Sequence, residues 1–441
     1  MKSSQERKRL ILFLALLLLA FLFRLAFGVS SDFWNLDEKQ IYLIGLKQYT
    51  AGAWPYFGPD VTNTIQIPGA LQGLAAGLPF FLLPIPEAPF ILLNILSFAA
   101  LCFFAWYCSG RLPEIPKWFI WTWLLTAPWT LNLSTHVINP SYVLFGAILF
   151  FVGAIETYPF LTRNLVPLHW ANLMMGLALF WVMQFHMSWV ILVPFLLVSF
   201  YFQYRQQGLA VLKSLGWFAV GVILTGSFLI PTYLKYGLVG GLGSTNEAVQ
   251  FNSANILSQW NVAEGILGRF LSLASYELPR FIGRNSGTRL AFMGKNPWLV
   301  PLIVFLGLVG FLQPIALVVL WFRKDRTHKD WKGIKYLTLA TICLLYASFT
   351  FSFRAPHSHT LYVTFPIVML YSLYCWSEFL KQPRWRRFAM VFLVGGIIFS
   401  TGLAFDNFRR KSLYVDRGIP QAAIDAKDYR ILGERREGSR F

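Results

Sequence analysis

Residues 10–38 read LILFLALLLLAFLFRLAFGVSSDFWNLDE, an apolar stretch followed after a short connection by two adjacent acids, Asp37 and Glu38. About 20 apolar residues cover a hydrocarbon core of about 30 Å, so residues 10–28 predict a membrane-spanning helix. Basic residues precede this stretch, which predicts a cytoplasmic N-terminus and places the acids at the outer surface. A cleaved signal peptide is the alternative, but no small-x-small cleavage site follows, and further hydrophobic segments favour a retained helix.

The composition excludes an ordinary soluble protein. The 441 residues are 56% hydrophobic and 13% charged, with a mean hydropathy of +0.53. These values predict a polytopic, all-α membrane protein. The net charge of +18 comes from Lys and Arg in short loops, where topology and anionic lipid headgroups account for it, so nucleic-acid binding is not expected. The four cysteines lie in or beside apolar segments, which indicates buried thiols and no disulfide framework or zinc site.

The order of the apolar segments predicts the topology. Eight segments precede a polar stretch at 236–297, and four follow it; the later seven of the first group fall near 67–84, 88–108, 117–133, 140–160, 167–184, 186–204 and 211–235. Basic clusters at 323–335 and 381–387 predict cytoplasmic loops, which leaves 31–66, 236–297 and the tail 409–441 outside. One early segment must then fail to cross. The prolines within 109–140 suggest a re-entrant segment there, which leaves about eleven crossings in a membrane domain at 1–408.

The first outer loop, 31–66, predicts a helix that starts at the acid pair. Asn35 is a good N-cap, and Glu38 completes a pattern similar to a capping box. The following residues predict an amphipathic helix that lies in the membrane interface and ends at Gly52. The acids therefore have a structural interpretation as stabilisers of a helix N-terminus. That interpretation is compatible with chemistry, because a helix start holds a base rigidly.

The same loop resembles the GT-C glycosyltransferases. The acid pair after the first span is followed by Gly52, Trp54, Pro55 and Tyr56, and the next apolar segment starts with Ile67-Pro68-Gly69. Within that fold the chain is most similar to the protein-mannosyltransferase and aminoarabinose-transferase branch. The resemblance implies a bundle of about eleven transmembrane helices. It also implies inverting transfer of a sugar from a polyprenyl-phosphate donor to a hydroxyl of a lipid, glycan or protein, at the outer face of what analogy makes a bacterial inner membrane.

Roles for individual residues follow from this resemblance. Asp37 is expected to be the base that deprotonates the acceptor hydroxyl, since a phosphate leaving group needs no general acid. Glu38 would orient the acceptor, support Asp37 or help to hold a divalent cation such as Mg²⁺ or Mn²⁺; no cofactor is certain. Contacts to the donor phosphate are expected from residues of the later outer loops, which are Arg354, His357, His359, Arg280 and Arg284. Their alternative role is to extend towards lipid headgroups.

Further polar and aromatic residues are predicted to line the substrate cavity: Trp54, Tyr56, Gln66, His136, Asn139, Gln184 and His186. Gln66 stands where many relatives have Lys or His, and Asn139 where many have a second aspartate. Asn139 is a poor replacement for an anionic metal ligand, so the metal requirement stays open. His136 has a structural alternative, and Gln184 and His186 would form a buried hydrogen-bonding pair if their connection is not accessible.

Two other function classes remain as alternatives. A transporter of lipid-linked sugars, or flippase, predicts internal repeats and ionisable groups in the middle of spans, and the sequence shows neither. An O-antigen-type polymerase or ligase predicts a large outer loop with its own Arg and His. The 236–297 loop contains several Arg but no His.

Overall fold

The structure, a computed structural model, describes residues 4–31, 36–60, 66–237, 259–276, 282–283, 285–322, 330–350, 358–409, 413 and 416–433. The first group of helices comprises α1 (Ser4–Ser31), α2 (Leu36–Ala51), α3 (Leu71–Leu82), α4 (Ala88–Arg111), α5 (Lys117–Thr126), α6 (Pro128–Asn132), α7 (Asn139–Glu156), α8 (Leu168–Met183), α9 (Leu192–Gln207), α10 (Val211–Gly226) and α11 (Ile230–Tyr236). The second group comprises α12 (Gln259–Leu273), α13 (Ser286–Lys295), α14 (Val300–Phe322), α15 (Trp331–Phe349), α16 (Ser358–Leu361), α17 (Phe365–Phe379), α18 (Pro383–Phe408) and α19 (Gly418–Asp425). Two short strands, β1 (Phe57–Asp60) and β2 (Gln66–Pro68), form an antiparallel hairpin that the sequence did not predict.

The prediction of an all-α polytopic membrane protein is confirmed. Seven helical runs within the described residues are long and apolar enough to cross a membrane. One of these runs, Met187–Tyr236, contains a break at Gly208, where φ is +58°, and so consists of two passes. All four cysteines are free; Cys108 and Cys375 are buried as predicted, whereas Cys102 is partly buried and Cys343 is exposed, contrary to the prediction.

Contacts between helix ends define two ends of the bundle. Ser31, the last residue of α1, contacts His136 just before α7. At the far end of α7, Glu156 forms a buried ion pair with Arg111, the last residue of α4. We call the first of these the acid end, because α2 starts there with Asp37 and Glu38, and the second the basic end.

The segment from 109 to 140 crosses the bundle, contrary to the sequence prediction. Successive residues of this segment contact successive residues of α1, from the basic end to the acid end. The ring of Phe13 lies 5.3 Å from that of Trp121, and Arg24 donates to the Leu125 carbonyl at 2.9 Å. The Ser31 carbonyl then contacts His136. Helices α5 and α6 therefore run alongside α1 as one interrupted pass. Pro128 interrupts the helix because it has no N–H to donate, yet the chain continues in the same direction.

The early segment that fails to cross is α3. Near its start, Gln72 bonds Asn139 at the acid end. After its last turn, Glu87 pairs with Arg417 of the C-terminal segment, and the Pro86 carbonyl accepts from Tyr42 of α2 at 3.0 Å. Both ends of α3 thus lie at the acid end, and its 12 residues would rise only about 18 Å. The described helices make eleven passes: α1, α4, α5 with α6, α7, α8, α9, α10 with α11, α14, α15, α17 and α18.

Within the later polar stretch, one described helix, α12, ends inside the bundle. The end of α12 lies in the middle of the bundle, where the Ser272 carbonyl accepts from the Trp129 indole at 3.0 Å. The Ala274 carbonyl accepts from Ser372, halfway along α17, at 2.7 Å, and the Tyr276 N–H donates to Gln313 of α14 at 3.0 Å. Side chains of three neighbouring passes therefore satisfy the backbone of this helix end. Non-helical backbone is tolerated at membrane depth when protein surrounds it in this way.

Candidate active site

The acid pair lies in the first turn of α2, at the acid end of the bundle. Glu38 is fully buried. The backbone of Asp37 is helical, while its side chain and the predicted N-cap Asn35 lie outside the described residues. Acids in this position are stabilised by the helix dipole. The predicted end of α2 is confirmed, since Gly52 has φ +63° and donates its N–H to the Gln48 carbonyl at 3.0 Å.

Helix α2 is covered on more than one side. Tyr42 and Leu46 are fully buried, Tyr42 packs edge-on against Phe80 of α3 at 5.4 Å, and Ile424 of α19 belongs to the same apolar cluster. The predicted helix is therefore correct, but it lies between α3 and the C-terminal segment rather than alone on the membrane surface. This packing fixes the turn that carries the acid pair.

A third carboxylate, on Asp60, is bonded to the start of α2. Asp60 Oδ1 accepts from the Gln66 amide at 2.9 Å, and its Oδ2 accepts from the Gln40 amide at 3.4 Å. The Asp60 N–H donates back to Gln40 Oε1 at 3.2 Å. Gln40 lies one turn after Asp37, and residues three apart share a helix face. Of these residues the sequence predicted only Gln66. Asp60 was missed because it follows Gly58-Pro59, a pattern typical of an ordinary turn. The signal in the sequence was Gln40, which lies three residues after Asp37 on the same helix face.

Gln72 and Asn139 connect α3 to the start of α7. The Gln72 amide donates to Asn139 Oδ1, and Gln72 is fully buried. Its Oε1 makes no hydrogen bond to the described residues and lies against Gly58, where a Cβ would approach it to 2.7 Å. Asn139 therefore lies at the acid end, where it anchors α3, and its place in a substrate cavity stays a prediction.

His136 has mainly a structural environment. It is fully buried, with Nδ1 2.7 Å from the Asn132 carbonyl oxygen and Nε2 3.0 Å from that of Ser31. Burial lowers the pKa of His136, and the two carbonyl groups oppose that effect. The imidazole connects the end of α1 to the turn before α7, which supports the structural alternative for this residue.

Gln184 and His186 follow α8 at the acid end. Gln184 is fully buried, and its amide donates to the carbonyls of Phe180 at 3.0 Å and Thr225 at 2.8 Å. Its side chain also lies against Gly69, the residue after β2. His186 caps the 3₁₀ turn Met187–Ile191, because its Nδ1 accepts from the Ser188 N–H at 3.1 Å. Burial, with a smaller effect of His359, lowers the pKa of His186 to about 3.

Trp54 and Tyr56 differ in accessibility. The Tyr56 carbonyl accepts from Thr232 of α11 at 2.7 Å, and its ring lies 4.2 Å from the Lys235 ammonium, a cation–π contact. Tyr56 therefore anchors the β-hairpin to α11. Trp54 leaves 38% of its surface exposed, which keeps its ring available for a ligand.

The predicted donor contacts are only partly placed. His359 lies in α16, and its ring centre is 6.3 Å from that of His186. Arg280, Arg284, Arg354 and His357 lie outside the described residues. No group of three or more His, Cys, Asp or Glu that could hold a metal ion occurs in the described part of the chain. The Asp37 side chain lies outside the described part of the chain, so cation binding by Asp37 and Glu38 stays a prediction.

Comparison with known proteins identifies the fold. No protein-family model matches the chain, and no curated protein matches its sequence. The structure is similar to the crystal structure of ArnT from Cupriavidus metallidurans bound to undecaprenyl phosphate, with a TM-score of 0.51 and 12% sequence identity. The match covers 97% of this chain and 77% of that one. At this identity the similarity establishes the fold alone, and the protein has a GT-C-like glycosyltransferase fold, as its sequence predicted.

Proposed function

We propose that this protein transfers a sugar from a polyprenyl-phosphate donor to an acceptor hydroxyl. The observation that carries the proposal is the placement of the acid pair in the first turn of α2, directly after the first pass of a GT-C-like bundle. A solved protein with that fold holds undecaprenyl phosphate. The buried Glu38 and the Asp60 network at the same helix start add to the support.

The proposed reaction is a single displacement at the anomeric carbon. The Asp37 carboxylate accepts the proton of the acceptor hydroxyl, whose oxygen forms the new bond to C1. The bond between C1 and the phosphate oxygen breaks from the opposite face, so the configuration inverts. The polyprenyl phosphate leaves as an anion and needs no proton from the protein. Glu38, buried one residue later, supports this helix turn and the base on it.

The charges at the basic end support one direction of insertion. Seven basic residues of the described chain lie on the segments at the basic end: Arg111, Arg163, Lys332, Lys335, Lys381, Arg384 and Arg386. The first turns of α1, with Arg7, Lys8 and Arg9, start from the same end. By the positive-inside rule we propose that this end is cytoplasmic. The acid end would then face the periplasm if the membrane is a bacterial inner membrane.

The test is transfer of radiolabelled sugar from a panel of polyprenyl-phosphate sugars, in membranes containing the wild type, Asp37→Asn or Glu38→Gln. Loss of a general base lowers rates by about 10²- to 10⁴-fold, so we expect a loss of that size for Asp37→Asn. Lys39→Gln, at an exposed neighbouring position, is the matched control. EDTA tests whether a cation held by Asp37 and Glu38 contributes.

Full transfer by Asp37→Asn would overturn the assignment of the base. If the wild type transfers no sugar from any donor but binds polyprenyl phosphate, a flippase becomes the better interpretation. Transfer that extends a polysaccharide acceptor would instead identify a polymerase or ligase.

A further inference from the structure

His186 presents one unoccupied ring nitrogen at the acid end. Its Nδ1 accepts from the Ser188 N–H at 3.1 Å and lies 2.9 Å from the Ser188 hydroxyl. Because the ring is neutral at pH 7 and Nδ1 is an acceptor, the proton resides on Nε2. Nε2 makes no hydrogen bond to the described residues. His186 retains 9% of its surface exposed, so this fixed N–H donor is not sealed from its surroundings.

The neighbourhood of His186 contains other polar groups. The exposed ring of His359 lies 6.3 Å away, although 172 residues separate the two histidines along the chain. Phe185 stacks on Tyr142 at 4.9 Å, and the buried Tyr142 hydroxyl makes no hydrogen bond to the described residues. Gln184 is also buried, and its amide oxygen makes no hydrogen bond to the described residues. Packing therefore holds Gln184 and Phe185, the two residues that precede His186 in the chain.

We propose that His186 and His359 together bind the phosphate group of the polyprenyl-phosphate donor, with His186 Nε2–H as the fixed donor of the hydrogen bond. This inference rests on the proposed function and adds a phosphate subsite to it. A neutral donor suits the leaving phosphate, because it stabilises the developing negative charge without giving up a proton. The exposed His359 lets the phosphate enter from the outer side.

The structural alternative is that His186 serves only as the cap of the 3₁₀ turn. Two variants separate the roles. His186→Asn places an acceptor near the Nδ1 position, which keeps the cap, and lacks the Nε2 donor. His186→Gln places an amide N–H near the Nε2 position and lacks the cap. A phosphate-binding role predicts that Asn is the damaging substitution, whereas a capping role predicts that Gln is.

The experiment measures binding of undecaprenyl phosphate to the detergent-solubilised full chain, and the donor KM and kcat where transfer is detectable. Hydrogen bonds to charged groups imply a loss of about 10- to 100-fold in donor affinity for His186→Asn, with a smaller loss for His186→Gln. His359→Asn is expected to weaken donor binding as well. The acceptor KM should stay within about twofold of the wild type in each variant.

Inorganic phosphate and phosphatidylglycerol vesicles are the comparison ligands. Equal losses for all phosphates would identify a general anion site and overturn the assignment to the donor, as would unchanged donor affinity in His186→Asn. Failure of the wild type to transfer any sugar would refute the proposed function alone. The binding arm tests the phosphate subsite independently of turnover.

Discussion

The guanidinium of Arg24 donates a hydrogen bond to the Leu125 carbonyl oxygen, 2.9 Å away, where Pro128 interrupts the pass formed by α5 and α6. It also donates to the Thr130 carbonyl at 3.2 Å and to the Ser134 hydroxyl at 2.6 Å. Arg24 is fully buried and forms no ion pair with the described residues. A cation beside the carbonyl ends of two short helices is favourable, so Arg24 stabilises the interrupted pass.

We therefore expect Arg24→Ala to destabilise the protein by about 2–4 kcal/mol, because it leaves two buried carbonyls without their charged donor. Arg24→Lys keeps the charge with fewer donors and should cost less. Arg9→Ala, at an exposed position near the start of the same helix, is the control. Thermal inactivation rates in detergent measure these costs. Equal rates for Arg24→Ala and Arg9→Ala would refute the stabilising role of Arg24.

Gly69 tolerates no side chain. Its φ is +120°, and a Cβ there would lie 2.4 Å from Gln184 Oε1. Gly69→Ala therefore combines backbone strain with a clash against a buried side chain, each of about 1–3 kcal/mol, and should displace the β-hairpin and abolish transfer. Gly52 is the matched control, because its φ is also positive but a Cβ would meet nothing within 4 Å. Gly52→Ala should cost only about 1–2 kcal/mol and keep transfer. Activity and melting temperature of the two variants test this directly.

The sequence predicted the fold class, the first span and the helix that follows the acid pair, because these depend on hydrophobic length, charge bias and cap residues. It did not identify the early segment that stays at the acid end. Most of α3 is buried against its neighbours, although Leu78, Phe81 and Leu82 are exposed, and hydropathy does not distinguish such a helix from a span. The prolines near α5 suggested that this segment does not cross the bundle. The segment does cross it, and the long-range hydrogen bonds of Arg24 stabilise the interrupted pass.

The candidate site was predictable only in part. Asp37, Glu38, Asn139, Gln184 and His186 all belong to segments at the acid end, as their positions between apolar segments suggested. The Asp60 network depends on a hairpin whose short strands carry no alternation of apolar and polar residues. The approach of His186 to His359 is a tertiary contact, and no local pattern in the sequence reports such a contact.

The C-terminal helix α19 packs against α2, and substitution of Ile424 tests whether this packing stabilises α2. Ile424 is 2% exposed in the apolar cluster with Tyr42 and Leu46, whereas Ile419 on the same helix is 48% exposed. Ile424→Ser should release α19, at a cost of about 2–4 kcal/mol locally, and speed amide hydrogen exchange in α2. Ile419→Ser should leave exchange unchanged. If the two variants exchange alike, α19 does not stabilise the helix that carries the acid pair.

The buried ion pair between Arg111 and Glu156 is expected to contribute strongly to the stability of the protein at the basic end. Their side chains are 3% and 0% exposed, and Glu156 also accepts from the Leu165 N–H at 2.8 Å. Removing one member of such a pair leaves a buried charge, so Glu156→Ala should cost about 3–5 kcal/mol. Glu378→Ala, which breaks an exposed pair with Lys381, should cost at most about 1 kcal/mol. Thermal inactivation of the two alanine variants compares these costs, and similar rates would contradict the prediction.

His186 should make the protein sensitive to mild acid. Its pKa is about 3 in the folded state against 6.5 for the free side chain, so the unfolded chain binds a proton first as the pH falls. The stability from the neutral ring is complete above pH 6.5 and is lost as the pH falls towards 3, by about 2 kcal/mol at pH 5. His186→Asn removes this titration and should narrow the gap in thermal stability between pH 7 and pH 5. An unchanged gap in His186→Asn would show that the imidazole is hydrated and protonated at mild acidity, contrary to its burial.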